Sequence, residues 1–285
     1  MALSFVLQVY GRPDIYAQAH YCLHSLYHQL GDAWAQWPIR LYTDQPEALA
    51  RQYAAWPHIQ PVALSPGQLA DWAGPQQFVH RVKLEVLRHA AREGHALFYL
   101  DTDTFFVQDP RPALAAIEQE GVFYQHEYEY SLARPNGILP RKVARFARRN
   151  RFTLVGAPLQ IGPDTEMWNA GVIGLPPGRA DLLGWMLALT DVLYAAYPKH
   201  VMEQLAVSYV LQQAGPRRPA APFLYHYWQH KPGVMAHIGP YLAGHGSFAA
   251  RAELYSAQQA DLQSWLAAQA DPARPRPGWR RLIGL

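Results

Sequence analysis

The sequence ALFYLDTDTFFV, residues 96–107, joins a buried strand to two carboxylates. Its first five residues are apolar or aromatic, as in a strand that is covered on both faces of a sheet. Asp101 and Asp103 follow directly, and the alternation of side chains along a strand directs both to one side and Thr102 to the other. Two carboxylates that converge on one point repel each other unless a cation lies between them. The stretch therefore predicts a core strand that ends at a site for a hard divalent cation.

Helices and strands alternate on both sides of this strand. Predicted strands are Ser4–Tyr10, Pro38–Tyr42, Ala96–Leu100, Gly121–Gln125, Trp168–Leu175 and Pro222–Trp228, and predicted helices are Ile15–Leu30, 45–55, Phe78–Arg92, 179–196 and 200–213. The proline-rich segment 57–76 is predicted to be a loop. This order is typical of an α/β fold with a mostly parallel central sheet flanked by helices. In such sheets, ligands bind beyond the carboxyl ends of the strands, where the two aspartates lie.

The composition is that of a globular protein with one main domain. Half of the 285 residues are hydrophobic, only 16% are charged, and the formal net charge is +3. This balance argues against nucleic acid as a partner. Cys22 is the only cysteine, which excludes a disulfide framework and a zinc–thiolate site. We expect a domain over residues 1–245, followed by a helical extension with a basic tail over 246–285.

The two ends of the chain bear on its location. MALSFVLQVYGRPD has no basic segment before its short apolar run, so it predicts a first strand and not a signal peptide. No uncharged apolar stretch is long enough to span a bilayer, and we expect a soluble, cytoplasmic protein. In the tail DPARPRPGWRRLIGL, Arg274, Arg276, Arg280 and Arg281 surround Trp279, a pattern that fits peripheral contact with an anionic membrane. A solvated chain end explains the same residues.

The Asp-x-Asp pattern alone does not fix the chemistry. Aspartates also end strands because they favour turns and helix caps. A phosphohydrolase of the haloacid-dehalogenase type would need Thr or Val two residues after the second aspartate, where this chain has Phe105. A sugar-nucleotide pyrophosphorylase would show a glycine-rich phosphate loop near the first strand, but VYGRPD has a single glycine.

Further motifs follow one another in a fixed order. They are DIY at 14–16, KLEVL from Lys83, YLDTDTFF at 99–106, WNAGVIGL at 168–175, EQ at 203–204 and HYWQHKP at 226–232. Together they resemble the retaining GT-A glycosyltransferases of family 8, which include glycogenin and bacterial lipopolysaccharide galactosyltransferases. The resemblance covers most of residues 4–232. It implies the GT-A fold and transfer of a sugar from a nucleotide-diphosphate donor, with uridine as the expected base.

The resemblance also implies a role for each motif. Asp101, Asp103 and His226 would bind Mn²⁺ (or Mg²⁺), Tyr10, Tyr16, Lys83, Thr102, Asn169 and Lys231 would bind the donor, and Gln204 and Glu203 would lie at the reacting carbon and the sugar hydroxyls. Lys83 and Lys231 would share the charge of the departing diphosphate. The acceptor would be a glycan, a lipid-linked glycan or a protein.

The last motif departs from the family pattern. HYWQHKP lacks the glycine between His and Lys, and the interval is one residue shorter, so His230 and His237 compete with His226 as the metal ligand. The same departure favours the alternative function, a non-catalytic nucleotide- or carbohydrate-binding protein on this fold. Glu203 and Gln204 lie off the apolar stripe of their helix, which fits a solvated pair as well as a catalytic one.

A basic block lies between the Asp-x-Asp strand and WNAGVIGL. Residues 134–151 contain seven Lys or Arg and no acid. Such a block is typical of a solvated helix face. Its position is that of the acceptor side in the family resembled, which implies an acidic or phosphorylated acceptor as the second interpretation.

Overall fold

The computed structural model describes residues 3–154, 156–243 and 252–270. The strands are β1 (Leu3–Gln8), β2 (Ile39–Thr43), β3 (Ile59–Ala63), β4 (Ala96–Leu100), β5 (Thr104–Phe106), β6 (Phe123–Gln125), β7 (Tyr128–Ser131), β8 (Phe152–Leu154), β9 (Ala157–Leu159), β10 (Glu166–Trp168), β11 (Val172–Leu175), β12 (Arg217–Pro219) and β13 (Leu224–His226). The α-helices are α1 (Pro13–Leu30), α2 (Pro46–Gln52), α3 (Pro66–Ala73), α4 (Arg81–Ala90), α5 (Arg111–Gln119), α6 (Ile138–Arg149), α7 (Asp181–Ala196), α8 (Met202–Ala214), α9 (Lys231–Ala243) and α10 (Ala252–Ala270). The basic tail after residue 270, for which membrane contact is predicted, lies outside the described residues.

A seven-stranded sheet forms the centre of the fold, in the order β12-β6-β11-β4-β1-β2-β3. The pairs β1–β2, β1–β4, β2–β3 and β6–β12 are parallel, whereas β11 is antiparallel to β4 and β6. Helices α4 and α5 pack against β4. The predicted α/β class with a mostly parallel sheet is confirmed.

Strand β4 is central in the sheet, between β1 and β11. All five of its residues are buried, and the ring of Phe98 meets that of Phe5 on β1 edge to face at a centroid distance of 5.8 Å. A strand that is covered on both faces explains the continuous apolar run before the aspartates. Because β1 and β4 are parallel neighbours, their carboxyl ends meet at one edge of the sheet, and Asp101 lies there.

The prediction of a loop over 57–76 is wrong. Strand β3 and helix α3 lie in this segment, and both accommodate their prolines. Pro61 is on β3, an edge strand of the sheet, where an absent N–H group interrupts no second ladder. Pro66 begins α3, and the Ser65 side chain caps that helix by accepting a hydrogen bond from the Gln68 N–H group at 3.1 Å.

The prediction of one continuous strand over Trp168–Leu175 is also wrong. Strand β10 ends at Trp168 and pairs with β7, whereas β11 begins at Val172 and joins the central sheet. Residues 169–171 connect the two sheets. Asn169 and Gly171 therefore lie at the carboxyl edge of β4, because the Asp101 N–H group donates to the Gly171 carbonyl at 2.7 Å.

The chain divides into two compact units, Met1–His226 and Tyr227–Leu285. In the second unit α9 packs against α10, and a Cβ atom on Gly233 would lie 2.5 Å from the Trp265 ring, so the two helices meet closely at this glycine. The division expected after residue 245 stays a prediction. Among the described residues, no helix combines the length and the apolar character needed to cross a bilayer.

Candidate active site

Two carboxylates and one imidazole meet at the carboxyl edge of the sheet. Asp101 and Asp103 follow β4, and His226 ends β13, which pairs antiparallel with β5 just beyond them. Each residue offers one ligand atom, and these three atoms lie within 4.8 Å of one another. The His226 Nε2 atom is 3.2 Å from Asp103 Oδ1. Oxygen and imidazole ligands of this kind suit Mn²⁺ or Mg²⁺.

Asn169 fixes the orientation of the His226 imidazole. The Asn169 Oδ1 atom accepts hydrogen bonds from the Gly171 N–H group at 2.9 Å and from His226 Nδ1 at 3.0 Å. Since an amide oxygen only accepts, Nδ1 donates to Asn169, and the Nε2 atom is left on the side of Asp103. A Cβ atom on Gly171 would lie 2.3 Å from His226 Cε1, so the imidazole fits here only against glycine.

Asp101 is held by three hydrogen bonds. Its backbone N–H group bonds to Gly171, its Oδ1 atom accepts from the Tyr99 hydroxyl at 2.7 Å, and its Oδ2 atom accepts from Lys83 Nζ at 3.3 Å. Burial, followed by the charge of Asp101, raises the pKa of Tyr99 well above its ordinary value, so its hydroxyl remains a donor. The carboxylate is thus fixed in position by the protein itself.

Lys83 lies inside the protein and not on a solvated helix surface. Its side chain is 6% exposed, and Nζ lies 3.6 Å from Glu203 Oε1 and 3.0 Å from the Ala170 carbonyl oxygen, in addition to its contact with Asp101. Burial alone would lower the pKa of Lys83, but the carboxylates of Asp101 and Glu203 outweigh it and raise the pKa. The ammonium group therefore stays charged beside the three converging residues.

Glu203 is buried, which corrects the expectation that both residues of the EQ pair lie off the core face. It is 3% exposed in the first turn of α8, next to Lys83. Burial raises the pKa of Glu203 to about 7, although Lys83 acts in the opposite direction. The ammonium group of Lys83 is shared with Asp101, and it offsets the effect of burial on Glu203 only in part.

Gln204 forms a second polar group with Asn169 through Glu129 on β7. Glu129 Oε2 accepts from Gln204 Nε2 at 2.7 Å, and Glu129 Oε1 accepts from Asn169 Nδ2 at 3.3 Å. No motif pointed to Glu129. Its only signal is the alternation in HEYEY, residues 126–130, which directs Glu127 and Glu129 to the same side of the chain. Burial and the neighbouring Glu129 charge raise the pKa of Glu127.

Tyr10 and Tyr16 lie where β1 ends. The Tyr16 hydroxyl donates to Asp44 Oδ1, and Asp44 Oδ2 accepts from the Gly11 N–H group at 3.2 Å. Asp44, which follows β2, therefore holds the Tyr16 ring at the edge of the sheet, and no motif had pointed to it. Burial raises the pKa of Tyr10 to about 12, with smaller effects of Lys83 and Asp101 that show its closeness to them.

Three further residues named from the sequence are Thr102, Lys231 and the rival histidine His237. The buried Thr102 donates its hydroxyl to Gln18 Oε1 on α1 at 3.4 Å. Lys231 is the first residue of α9 in the second unit, and His237 on the same helix pairs with Asp261 at 3.0 Å. The cluster of metal-ligand atoms includes His226. Among the described residues, it includes neither His230 nor His237.

Comparison with known proteins gives similarity of structure only. No protein-family model matches the chain, and no curated sequence matches it. Mouse xyloside xylosyltransferase 1 in its apo form is 13% identical, with a TM-score of 0.48 over 87% of this chain and 96% of that one. The galactosyltransferase LgtC with donor and acceptor sugar analogues is 10% identical, with a TM-score of 0.46 over 74% and 70%. A putative glucose-1-phosphate thymidylyltransferase from Bacillus anthracis is 8% identical, with a TM-score of 0.47 over 87% and 98%. At these identities the function has to be inferred from the site.

Proposed function

We propose that this protein is a metal-dependent glycosyltransferase of the GT-A type, similar to family 8. It transfers a sugar from a nucleotide-diphosphate sugar, a UDP-sugar in our proposal, to a glycan, lipid-linked or protein acceptor. The observation that carries the proposal is the convergence of Asp101, Asp103 and His226 beside the buried ammonium group of Lys83. A cation site next to a permanent positive charge is suited to a diphosphate, which carries several negative charges.

The three converging residues fit a divalent cation. Both carboxylates offer oxygen ligands, and Asn169 leaves the Nε2 lone pair of His226 available. When Mn²⁺ or Mg²⁺ is bound there, it supplies Lewis-acid stabilisation of the leaving diphosphate. Lys83 supports the same charge as a point cation, and Asp101 holds that ammonium group in place.

The other polar residues act on the two halves of the donor. Glu129 orients the side-chain amide of Gln204, and we assign Gln204 to the region of the reacting carbon. Glu203 maintains the position of Lys83. Tyr16, held by Asp44, offers a ring on which the base stacks, with Tyr10 beside it.

Three further donor-binding residues, Thr102, Asn169 and Lys231, are proposed on the strength of the motifs. Retention of the anomeric configuration is proposed on the same basis.

An assay of UDP release tests this function. The purified chain is incubated with a panel of UDP-sugars and Mn²⁺, and release of UDP is measured for wild type, Asp103→Asn and Asp109→Asn. Asp109 is the matched control, because it is an aspartate outside the cluster that pairs with Arg111. We expect Asp103→Asn to lower the rate by about 1,000-fold, since several kcal/mol of charge stabilisation is lost, and Asp109→Asn to leave it unchanged.

Two outcomes would reject the proposal in different ways. If wild type binds UDP in the presence of Mn²⁺ but releases none from any donor, the chain is the non-catalytic nucleotide-binding protein of the alternative. If Asp103→Asn keeps the wild-type rate, the assignment of the metal site is wrong. Analysis of the product by nuclear magnetic resonance then decides between retention and inversion at the anomeric carbon.

A further inference from the structure

Helix α6 presents a dense group of positive charges. Its cations are all exposed, and we call them the cationic face: Arg141, Lys142, Arg145, Arg148 and Arg149. With 3.6 residues per turn, these five positions lie within about 120° of the helix circumference. Ile138, which is 75% exposed, falls within the same sector. One side of the helix therefore combines five cations with one exposed aliphatic side chain.

The opposite side of α6 is fixed to the protein core. Val143 and Ala147 are buried, and the Phe146 ring stacks on Tyr197 at a centroid distance of 4.9 Å. Asn150 caps the end of the helix by donating to the Phe146 carbonyl oxygen at 2.7 Å. The cationic face is thus held rigidly and directed outward, because the apolar side of the amphipathic helix is already occupied.

The cationic face has no counter-charge among the residues that the structure describes. In the part of the chain that the structure describes, none of its five residues forms an ion pair, and residues 134–151 contain no acid. Three other exposed arginines are paired with acids: Arg12 with Asp14, Arg111 with Asp109 and Arg218 with Glu120. Like charges at helical spacing repel one another, so an anionic partner that covers the face removes an unfavourable interaction.

We propose that the cationic face binds the anionic surface of a phospholipid membrane. A cluster of four to eight Lys and Arg on one side of an amphipathic helix is suited to acidic lipid headgroups, and each cation contributes about a fivefold gain in partitioning. Ile138 can dip beneath the headgroups from the middle of the face. A single glycan fits less well, because small ligands bind in clefts lined by aromatic and polar groups, and the face has no acid or exposed aromatic residue.

Vesicle co-sedimentation of the full chain tests this surface. The vesicles are phosphatidylcholine alone or phosphatidylcholine mixed with phosphatidylglycerol, each at low and high salt. The test variant is Arg145→Glu/Arg149→Glu, and the matched control is Arg51→Glu/Arg92→Glu, which changes the net charge equally at exposed positions outside α6. Circular dichroism verifies that both variants are folded.

We expect wild type to bind only the vesicles that contain phosphatidylglycerol, and to be released by high salt. The α6 variant should partition at least about tenfold more weakly, while the control pair stays near wild type. An equal loss in both variants would overturn the proposal, because net charge alone would then explain binding. Wild-type binding in the α6 variant, or no binding to acidic vesicles, would also overturn it. So would binding to the soluble polyanion heparin without binding to vesicles, which would assign the face to an acidic macromolecule.

Discussion

Lys83 and Arg145 are both cations of the first unit, but their surroundings are opposite. The Lys83 side chain is 6% exposed and lies within 3.6 Å of two carboxylates, whereas Arg145 is exposed and has no acid partner among the described residues. A charged group that is buried away from water requires partners of opposite charge or hydrogen-bond partners, and these partners hold it in one position. A charge that stays in water needs no partner, and its field reaches outward until salt screens it.

The difference explains why the two regions suit different tasks. At the candidate active site, Tyr99, Lys83 and Gly171 hold Asp101 in one position, as positioning of a diphosphate requires. On α6, position matters less than the number of cations on one side, as attraction to a charged surface requires. Substitutions at buried and at exposed charged residues test this difference.

Removal of the buried cation should destabilise the fold far more than removal of the exposed one. Lys83→Ala leaves Asp101 and Glu203 without their shared partner, and we expect the free energy of unfolding to fall by about 3 kcal/mol. Arg145→Ala, the matched loss of a cation, should change it by less than about 0.5 kcal/mol. Urea unfolding of the metal-free proteins at neutral pH measures both. Similar values for the two variants would remove the basis of the contrast.

Glu129→Ala should lower turnover and leave donor affinity nearly unchanged. Without the carboxylate, Gln204 and Asn169 lose a common hydrogen-bond acceptor, and a misplaced side chain at a reacting centre costs about 100-fold in rate. Steady-state kinetics should therefore show a lower kcat with a similar KM for the donor. Glu120→Ala is the control, because Glu120 is exposed and pairs only with Arg218 among the described residues. A change in KM alone would show that Glu129 binds the donor uniformly and positions nothing.

Glu203 should make the metal-free protein less stable as the pH rises. Its pKa is about 7 in the folded protein and 4.5 in its ordinary state, so between these values the folded protein binds more protons than the unfolded chain. Stability therefore falls from pH 4.5 to pH 7 by linkage. Glu203→Gln cannot titrate, and its advantage over wild type should grow across this range to about 3 kcal/mol at pH 7, since one pKa unit corresponds to about 1.4 kcal/mol. Thermal unfolding across the pH range measures the difference, and parallel curves for the two proteins would disprove the raised pKa.

Local sequence pattern was sufficient for the central strand and its aspartates. A continuous apolar run followed by Asp101 and Asp103 depends only on neighbouring residues, and β4 lies where this pattern predicts it. The segment 57–76 was not predictable in the same way. Its prolines normally interrupt regular structure, and only the edge position of β3 makes Pro61 acceptable, which is a property of the whole sheet.

The partners of the site residues could not be predicted, since they come from distant parts of the chain. Helical periodicity located Glu203 off the apolar stripe, but burial became acceptable because Lys83, 120 positions earlier, supplies the opposite charge. Glu129 reaches Gln204 across 75 positions, and no spacing in the sequence records that contact. Charged residues are therefore the ones whose burial is hardest to predict, because it depends on a partner that only the fold provides.

We propose that Asp101, Asp103 and His226 hold a divalent cation that binds a diphosphate. Calorimetric titration of UDP, with Mn²⁺ and with a chelator, tests this proposal on wild type, Asp103→Asn and the control Asp109→Asn. We predict that Mn²⁺ tightens UDP binding by at least about 100-fold in wild type and in the control, and that this gain is lost in Asp103→Asn. UDP affinity that does not depend on Mn²⁺ in wild type, or a full gain in Asp103→Asn, would show that these residues hold no such cation.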